Sequence, residues 1–254
     1  MLLQYQLLRY TETNWKYEKG FDTHQYDLSI NEICSSGTTK QQQAKIEKLS
    51  LVAFLNKDQR KIFVNICRRL KRNDSDFYQN NNLHVTLFGF GPLPKKDREP
   101  IRKKVHQFVN QKRIKKLDIK FNSVRPGTKY SEGKTLRPLQ KISNGTVIAS
   151  GQVNQNRDFF NYSNNLGLFL LKDKKIKSIL GANFRRKFPS GWLTLGYYKR
   201  KTNFKIDNNL EQIFNQYNNL TGNDLFNFSI NEISLVVSNY KNLRYPKLIQ
   251  KFRL

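Results

Sequence analysis

The sequence is short of acidic residues, with 19 Asp and Glu against 46 Lys and Arg, which gives a formal net charge of +27 at neutral pH. Such an excess fits an anionic partner: RNA, DNA, a phosphorylated ligand or an anionic surface. Long apolar runs are absent. None approaches the ~18 residues needed to cross a bilayer, so no membrane partner is expected. Cysteine is scarce as well. Cys34 and Cys67 cannot build a disulfide framework, and no CxxC or Cys/His cluster suggests zinc. No P-loop, GxGxxG or paired-carboxylate motif is present, so neither a metal nor a cofactor is expected. The first residues, MLLQYQLLRYTE, have no basic start and no long apolar segment, which reads as no secretory signal and a reduced, cytoplasmic protein.

What the chain does have is aromatic residues. Apolar residues are only 37% of the sequence, a composition that with this charge leans toward disorder. Against that stand 18 Phe, 12 Tyr and 2 Trp spread along the whole length. A folded protein with a positive exterior follows.

Residues 1–48 give a mixed pattern and read as an N-terminal extension, with the folded domain spanning 49–254. Leu49–Leu55 is a compact apolar run suited to a buried strand. A helix opens at Lys57 and Asp58, with Ile62, Phe63, Ile66, Cys67 and Leu70 on one face. Cys67 on that face reads as a small core residue. An Asn-rich loop, Gln79–Asn82, leads into the strand LHVTLFGFG at 83–91. A second amphipathic helix carries Ile101, Val105, Phe108 and Val109. Leu117–Val124 and Gly145–Val153 alternate as strands, with a loop through Arg125-Pro126-Gly127 between them and a tight-turn signal at Asn144-Gly145. Residues 163–188 read as one helix, Trp192–Tyr198 as a strand and Leu210–Tyr217 as a helix. Phe226–Val237 reads as one strand and Leu248–Leu254 as another. Alternating helices and strands indicate an α/β or α+β domain.

Two strands resemble each other. His84-Val85-Thr86-Leu87 and Trp192-Leu193-Thr194-Leu195 each follow a polar or Pro/Gly loop and precede a basic segment and a helix. Side chains alternate along a strand, so His84 and Thr86 share one face, and Trp192 and Thr194 share one. If the halves pack about a pseudo-twofold axis, the two polar faces meet in one cleft. Lys95 and Lys96 follow the first strand and Lys199, Arg200 and Lys201 the second, with Arg185, Arg186 and Lys187 before it. Together they suggest a positive rim. The remaining histidines, His24 and His106, read as an unplaced residue of the extension and a surface or boundary residue of a helix.

On these residues the chain resembles the two-histidine (2H) phosphoesterase superfamily, which includes the 2′-5′ RNA ligase-like and cyclic phosphodiesterase enzymes. That family carries two H-x-T/S-x motifs, one on each lobe. His84-Val85-Thr86-Leu87 matches the first motif in full, while the second has Trp192 where the family has histidine. The resemblance covers residues 49–254. It implies an α+β, bilobal fold: two pseudo-symmetric lobes of antiparallel sheet, helices outside, a central cleft, and lobes that exchange strands near 117–160. It also implies a catalytic set of His84, Thr86 and Thr194, with His84 as the acid–base group and the threonine hydroxyls holding phosphate oxygens. Trp192, Tyr198, Lys199 and Arg200 are the expected substrate-binding residues.

The expected function is that of a degenerate member of this superfamily, a monomer that binds RNA or a nucleotide with a terminal or cyclic phosphate. Residual metal-independent 2′,3′-cyclic or 2′-5′ phosphodiesterase activity would accompany it. The alternative is a non-catalytic basic RNA-binding protein or ribonucleoprotein component. Indole has no titratable nitrogen near neutral pH, so Trp192 can stack on a base but cannot replace an acid–base imidazole.

Overall fold

The computed structural model describes residues 47–73, 77–80, 82–126, 142–143, 146–151, 154–180, 192–198, 204–205, 208–217, 220, 222, 226–238 and 246–254. Strand β1 (Lys48–Phe54) forms from the apolar run expected there. Helix α1 (Lys57–Asn73) is opened by a reciprocal cap. Asn56 Oδ1 accepts from the Gln59 N–H and Gln59 Oε1 accepts from the Asn56 N–H, both at 2.9 Å. Phe63, Ile66, Cys67 and Leu70 are buried along α1. Ile62, expected on the same stripe, is 43% exposed, because the buried stripe is centred one position further on.

After β2 (Phe77–Gln79) come β3 (His84–Pro92) and α2 (Lys95–Lys112). The run expected to be one strand over 117–124 is two: β4 (Leu117–Phe121) and β5 (Ser123–Pro126), so Arg125 and Pro126 belong to a strand. The run expected over 226–237 also divides, into β10 (Phe226–Ile230) and β11 (Glu232–Ser238). An asparagine stands at each break. The Asn122 N–H donates to the Ser150 carbonyl at 2.9 Å, and the carbonyls of Asn122 and Asn231 accept from Leu220 and Leu254. At both corners the apolar period slips by one residue, from Phe121 to Val124 and from Ile230 to Ile233, a slip that a bulge within one strand would also produce.

Between these lie β6 (Ile142–Ser143), β7 (Thr146–Ser150), a 3-10 turn (Asn154–Asn156), α3 (Arg157–Lys172) and α4 (Lys174–Leu180). The expected single helix over 163–188 is therefore two within its described part. Asp173 separates them, its Oδ1 capping α4 by accepting from the Lys175 and Ile176 N–H groups at 3.0 and 3.1 Å. Strands β8 (Trp192–Tyr198), β9 (Phe204–Lys205) and β12 (Lys247–Arg253) and helix α5 (Asn208–Asn215) complete the described elements. The Asn144-Gly145 turn and Phe184 lie outside the described residues.

The main sheet runs β12-β11-β1-β3-β8-β7-β5, with β2 also paired to β8, and its pairings are antiparallel. Its two halves repeat one strand arrangement. In one half β1 lies between β3 and β11, and in the other β7 lies between β8 and β5. The strand following the corner at Asn122, β5, edges the half built from β7 and β8. The strand following Asn231, β11, flanks β1 in the half built from β1 and β3, with β12 outside it. Strands β4 and β10 pair with each other as a separate ribbon.

Leu51, Ala53, Val85, Leu87, Val147, Ala149, Leu193 and Leu195 point to one side of the sheet and join the helices in one core. Phe63 of α1 sits at its centre, 5.2 to 6.4 Å between ring centroids from Phe226, Phe228 and Phe121. Burial of these side chains, at ~25 cal/mol per Å², holds the sheet against the helix layer. Among the described residues, the other side of the sheet carries a small cluster of Val52 and Val236, with Phe54 against it. Among the described residues no helix is long and apolar enough to cross a membrane.

Candidate functional site

The halves of the main sheet join where Val85 of β3 pairs with Leu193 of β8. Both side chains are fully buried in the helix-side core. Alternation then turns their neighbours His84, Thr86 and Thr194 to the opposite face. Continuing the antiparallel register by one residue on each side brings His84 to the level of Thr194 and Thr86 to the level of Trp192. Two motif strands far apart in sequence thus lie side by side, head to tail.

The likeness of the two strands extends to an irregularity that composition does not reveal. In β3 the register to β1 slips between Val52↔Thr86 and Leu51↔Phe88, leaving Leu87 as an extra residue. In β8 the register to β7 slips between Ile148↔Thr194 and Val147↔Gly196, leaving Leu195 as an extra residue. Each strand therefore bulges directly after its motif threonine. A bulge bends the strand and re-aims the side chains beside it. At the first one the freed Leu87 carbonyl is satisfied by the Ser163 hydroxyl of α3.

His84 is only 8% exposed and Thr194 also 8%, while Thr86 is half-buried. The His84 ring meets Phe54 edge-on, with centroids 6.0 Å apart. Its Nδ1 lies 2.7 Å from the Asn82 carbonyl oxygen. A carbonyl can only accept, so Nδ1 carries the proton and Nε2 of the neutral ring presents its lone pair. Burial pushes the imidazole from 6.5 down to about 4, opposed by the bond to Asn82. At neutral pH His84 is an uncharged ring of fixed tautomer, suited to accept a proton or a hydrogen bond at Nε2.

Of the residues expected at the site, His84, Thr86 and Thr194 come together on one sheet face. Trp192 occupies β8 and pairs with Ser150, and Tyr198 pairs with Phe77 four residues beyond Thr194. The side chains of Trp192 and Tyr198 lie outside the described residues, as do the whole of residues 1–46 with His24, and Lys199, Arg200, Lys201 and 185–187. Lys95 and Lys96 do not rim the site. They are exposed in the first turn of α2, past the far end of β3, which at ~3.3 Å per residue puts them about 25 Å along the strand from His84. His106 is exposed on α2, 3.2 Å from Asn110. Cys67 is core, its thiol pushed up to about 12 by burial. Sequence reasoning missed Phe54 and the asparagines of the loop before β3. The available signal was the polar run directly preceding His84. Among the described residues no group of three or more His, Cys, Asp or Glu is placed to hold a metal ion.

No family model matches the sequence, and no curated protein matches it. Solved structures do match the fold. TT0787 of Thermus thermophilus superposes with a TM-score of 0.50 at 14% identity, over 82% of this chain and 97% of that one. A protein described as a phosphoesterase matches with a TM-score of 0.47 at 11% identity, over 82% and 98%. LigT of E. coli, crystallised with phosphate, matches with a TM-score of 0.45 at 14% identity, over the same shares. The chain has the α+β, two-lobed fold of the 2H phosphoesterases, with both motif strands at its centre.

Proposed function

We propose that this protein is a degenerate 2H phosphoesterase-like protein that binds RNA, or a nucleotide, through a terminal or cyclic phosphate seated over His84, Thr86 and Thr194. The observation that carries this reading is the Val85↔Leu193 pairing, which turns one imidazole and two threonines to the same sheet face. Threonine hydroxyls supply hydrogen-bond donors to non-bridging oxygens without added charge. His84 accepts at Nε2 when neutral. An approaching phosphate raises its pKa and so converts it toward a donor. Trp192 and Tyr198 would border the base, and Lys199 and Arg200 the phosphate.

Hydrolysis of a cyclic or 2′-5′ phosphodiester needs a base for the incoming oxygen and an acid for the leaving one. His84 fills one role. Indole at Trp192 cannot fill the other, and losing one acid–base group removes ~10²–10⁴ in rate. The reading is therefore tight end-binding with residual turnover. Both motif strands belong to one chain, so a monomer suffices for the site.

A second reading draws on the basic helices. Exposed Lys and Arg residues of α1, α2 and α4 lie on the helix side of the sheet, away from His84. A non-catalytic RNA-binding protein would engage RNA along that layer through phosphate contacts alone, without regard to its ends.

End-dependence separates the two. In fluorescence anisotropy, one oligoribonucleotide is compared with 2′,3′-cyclic phosphate, 3′-phosphate and 3′-hydroxyl ends. Tighter binding of the phosphorylated ends, lost in His84→Ala, is the expected result. Equal affinity for all ends, unchanged by His84→Ala, would overturn the proposal in favour of the second reading.

A further inference from the structure

The stretch that joins β2 to β3 runs along one edge of β8 with a local excess of chain. Gln79 pairs with Gly196 and Val85 with Leu193. Five residues, 80–84, thus face two, Thr194 and Leu195, so three are surplus. A surplus of this kind withdraws backbone donors from the partner strand, and buried carbonyls left without donors cost ~1–3 kcal/mol each. Here one residue supplies both donors. The Asn80 N–H donates to the Leu195 carbonyl at 2.8 Å, and its side-chain Nδ2 donates to the Thr194 carbonyl at 3.1 Å.

The same side chain acts in the other direction. Asn80 Oδ1 accepts from the Asn82 N–H at 3.1 Å, and the Asn82 carbonyl accepts from His84 Nδ1 at 2.7 Å. A continuous line of contacts therefore runs from the Thr194 backbone, through one amide group, to the imidazole of His84. Asn80 is 4% exposed and held on both sides, so it is a fixed piece of structure rather than a mobile surface amide. Glutamine, aspartate and serine at this position cannot match it. Glutamine is one methylene too long, aspartate cannot donate to Thr194, and serine has a single oxygen on a shorter side chain in place of the separate donor and acceptor atoms of the amide.

We infer that Asn80 is a positioning residue, whose amide registers Thr194 against His84 and fixes the His84 tautomer by holding the Asn82 carbonyl in place. The inference rests on the reading of His84 and Thr194 as the phosphate site. It adds that the Asn-rich loop, and not the motif strands alone, sets the geometry between them. It also accounts for a buried histidine that needs no carboxylate to orient it, since a backbone carbonyl held by Asn80 fills that role.

The test uses the full chain with Asn80→Ala and Asn80→Asp, and reads His84 directly by nitrogen-15 NMR of the imidazole alongside the affinity for adenosine 2′,3′-cyclic phosphate. Wild type is expected to show the Nδ1–H tautomer. Asn80→Asp retains an oxygen for the Asn82 N–H but loses the donor to Thr194. It is expected to keep the tautomer and to bind the nucleotide about five- to tenfold more weakly, the effect of one lost hydrogen bond. Asn80→Ala is expected to lose both, with a mixed tautomer population and a His84 midpoint that falls further, because the bond to Asn82 is what opposes the effect of burial. An Nε2–H tautomer in the wild-type protein overturns the inference whatever the variants do. So does a folded Asn80→Ala variant whose His84 spectrum is unchanged. If the tautomer responds to Asn80 while wild type binds no phosphorylated end, the functional reading fails and the positioning of His84 stands.

Discussion

The low pKa of His84 makes the stability of this protein depend on pH in a window where most groups are silent. The folded-state value is about 4, because burial disfavours the charged ring, and the unfolded-state value is 6.5. Between the two the unfolded chain binds a proton that the native state refuses. Stability linked to His84 is therefore complete above pH 6.5 and is lost as the pH falls toward 4. Linkage with these two values gives a loss of about 2 kcal/mol between pH 8 and pH 5, and about 3 kcal/mol by pH 4. For a chain of this length, 2 kcal/mol lowers Tm by ~4–8 °C. Carboxylates such as Asp118 and Asp173, held low by hydrogen bonds to Ser229 and to the Ile176 N–H, also release stability in acid. The comparison must therefore be made against His84→Gln, which keeps those carboxylates and cannot titrate. Thermal unfolding of both proteins from pH 4 to pH 8, followed by circular dichroism, supplies the difference. The wild-type curve should fall more steeply than that of the variant, with the gap opening between pH 6.5 and pH 5. Parallel curves would mean that His84 titrates alike in folded and unfolded chains, and the buried, neutral imidazole would be wrong. A saturating 2′,3′-cyclic nucleotide should shrink the gap, since a bound phosphate stabilises the protonated ring.

Three more outcomes are expected. Trp192→His places a second imidazole at the position the repeat relates to His84. It should raise turnover of a 2′,3′-cyclic nucleotide by about 10²-fold, measured by product chromatography, and activity unchanged by it would count against a missing acid as the limiting factor. Gly151→Ala would set a Cβ 1.8 Å from the Lys120 carbonyl oxygen and 2.8 Å from Asn156 Nδ2. Asn156 there bonds the Lys120 N–H and C=O at 2.6 and 2.9 Å, so prying β4 away should cost about 3 kcal/mol in urea unfolding. Ser163→Ala leaves the Leu87 carbonyl at the β3 bulge without the hydroxyl it accepts from. It should destabilise by ~1–3 kcal/mol, with a larger relative effect on nucleotide affinity than a surface Ser178→Ala control.

Much of this molecule was written locally. The apolar run at 49–55, the stripe of Phe63, Ile66, Cys67 and Leu70, and the strand Trp192–Tyr198 follow from periodicity, because burial of one face is a property of a short segment alone. The breaks at Asn122 and Asn231 were not legible. The period slips by one residue at each, from Phe121 to Val124 and from Ile230 to Ile233, but a bulge within one strand leaves the same trace, and only the neighbour on the far side decides which sheet a strand joins. The division at Asp173 was legible in principle, since an aspartate two and three residues ahead of free helix N–H groups is a capping signal, but the apolar spacing on either side masked it.

For the site, the sequence by itself determined the chemical parts: one imidazole, two threonines, a tryptophan where a second imidazole would stand, and a charge suited to phosphate. Those depend on residue identity and on the two-residue period of a strand. Only the tertiary structure decided that His84 faces Thr194, that each motif strand bulges after its threonine, and that Asn80 ties the Thr194 carbonyl to the loop orienting His84. The same structure moved Lys95 and Lys96 to the far end of β3. The physical reason is common to all of these. Pairing register, burial and the tautomer of a ring are set by groups distant in sequence, and no local pattern of residues encodes which of them will meet.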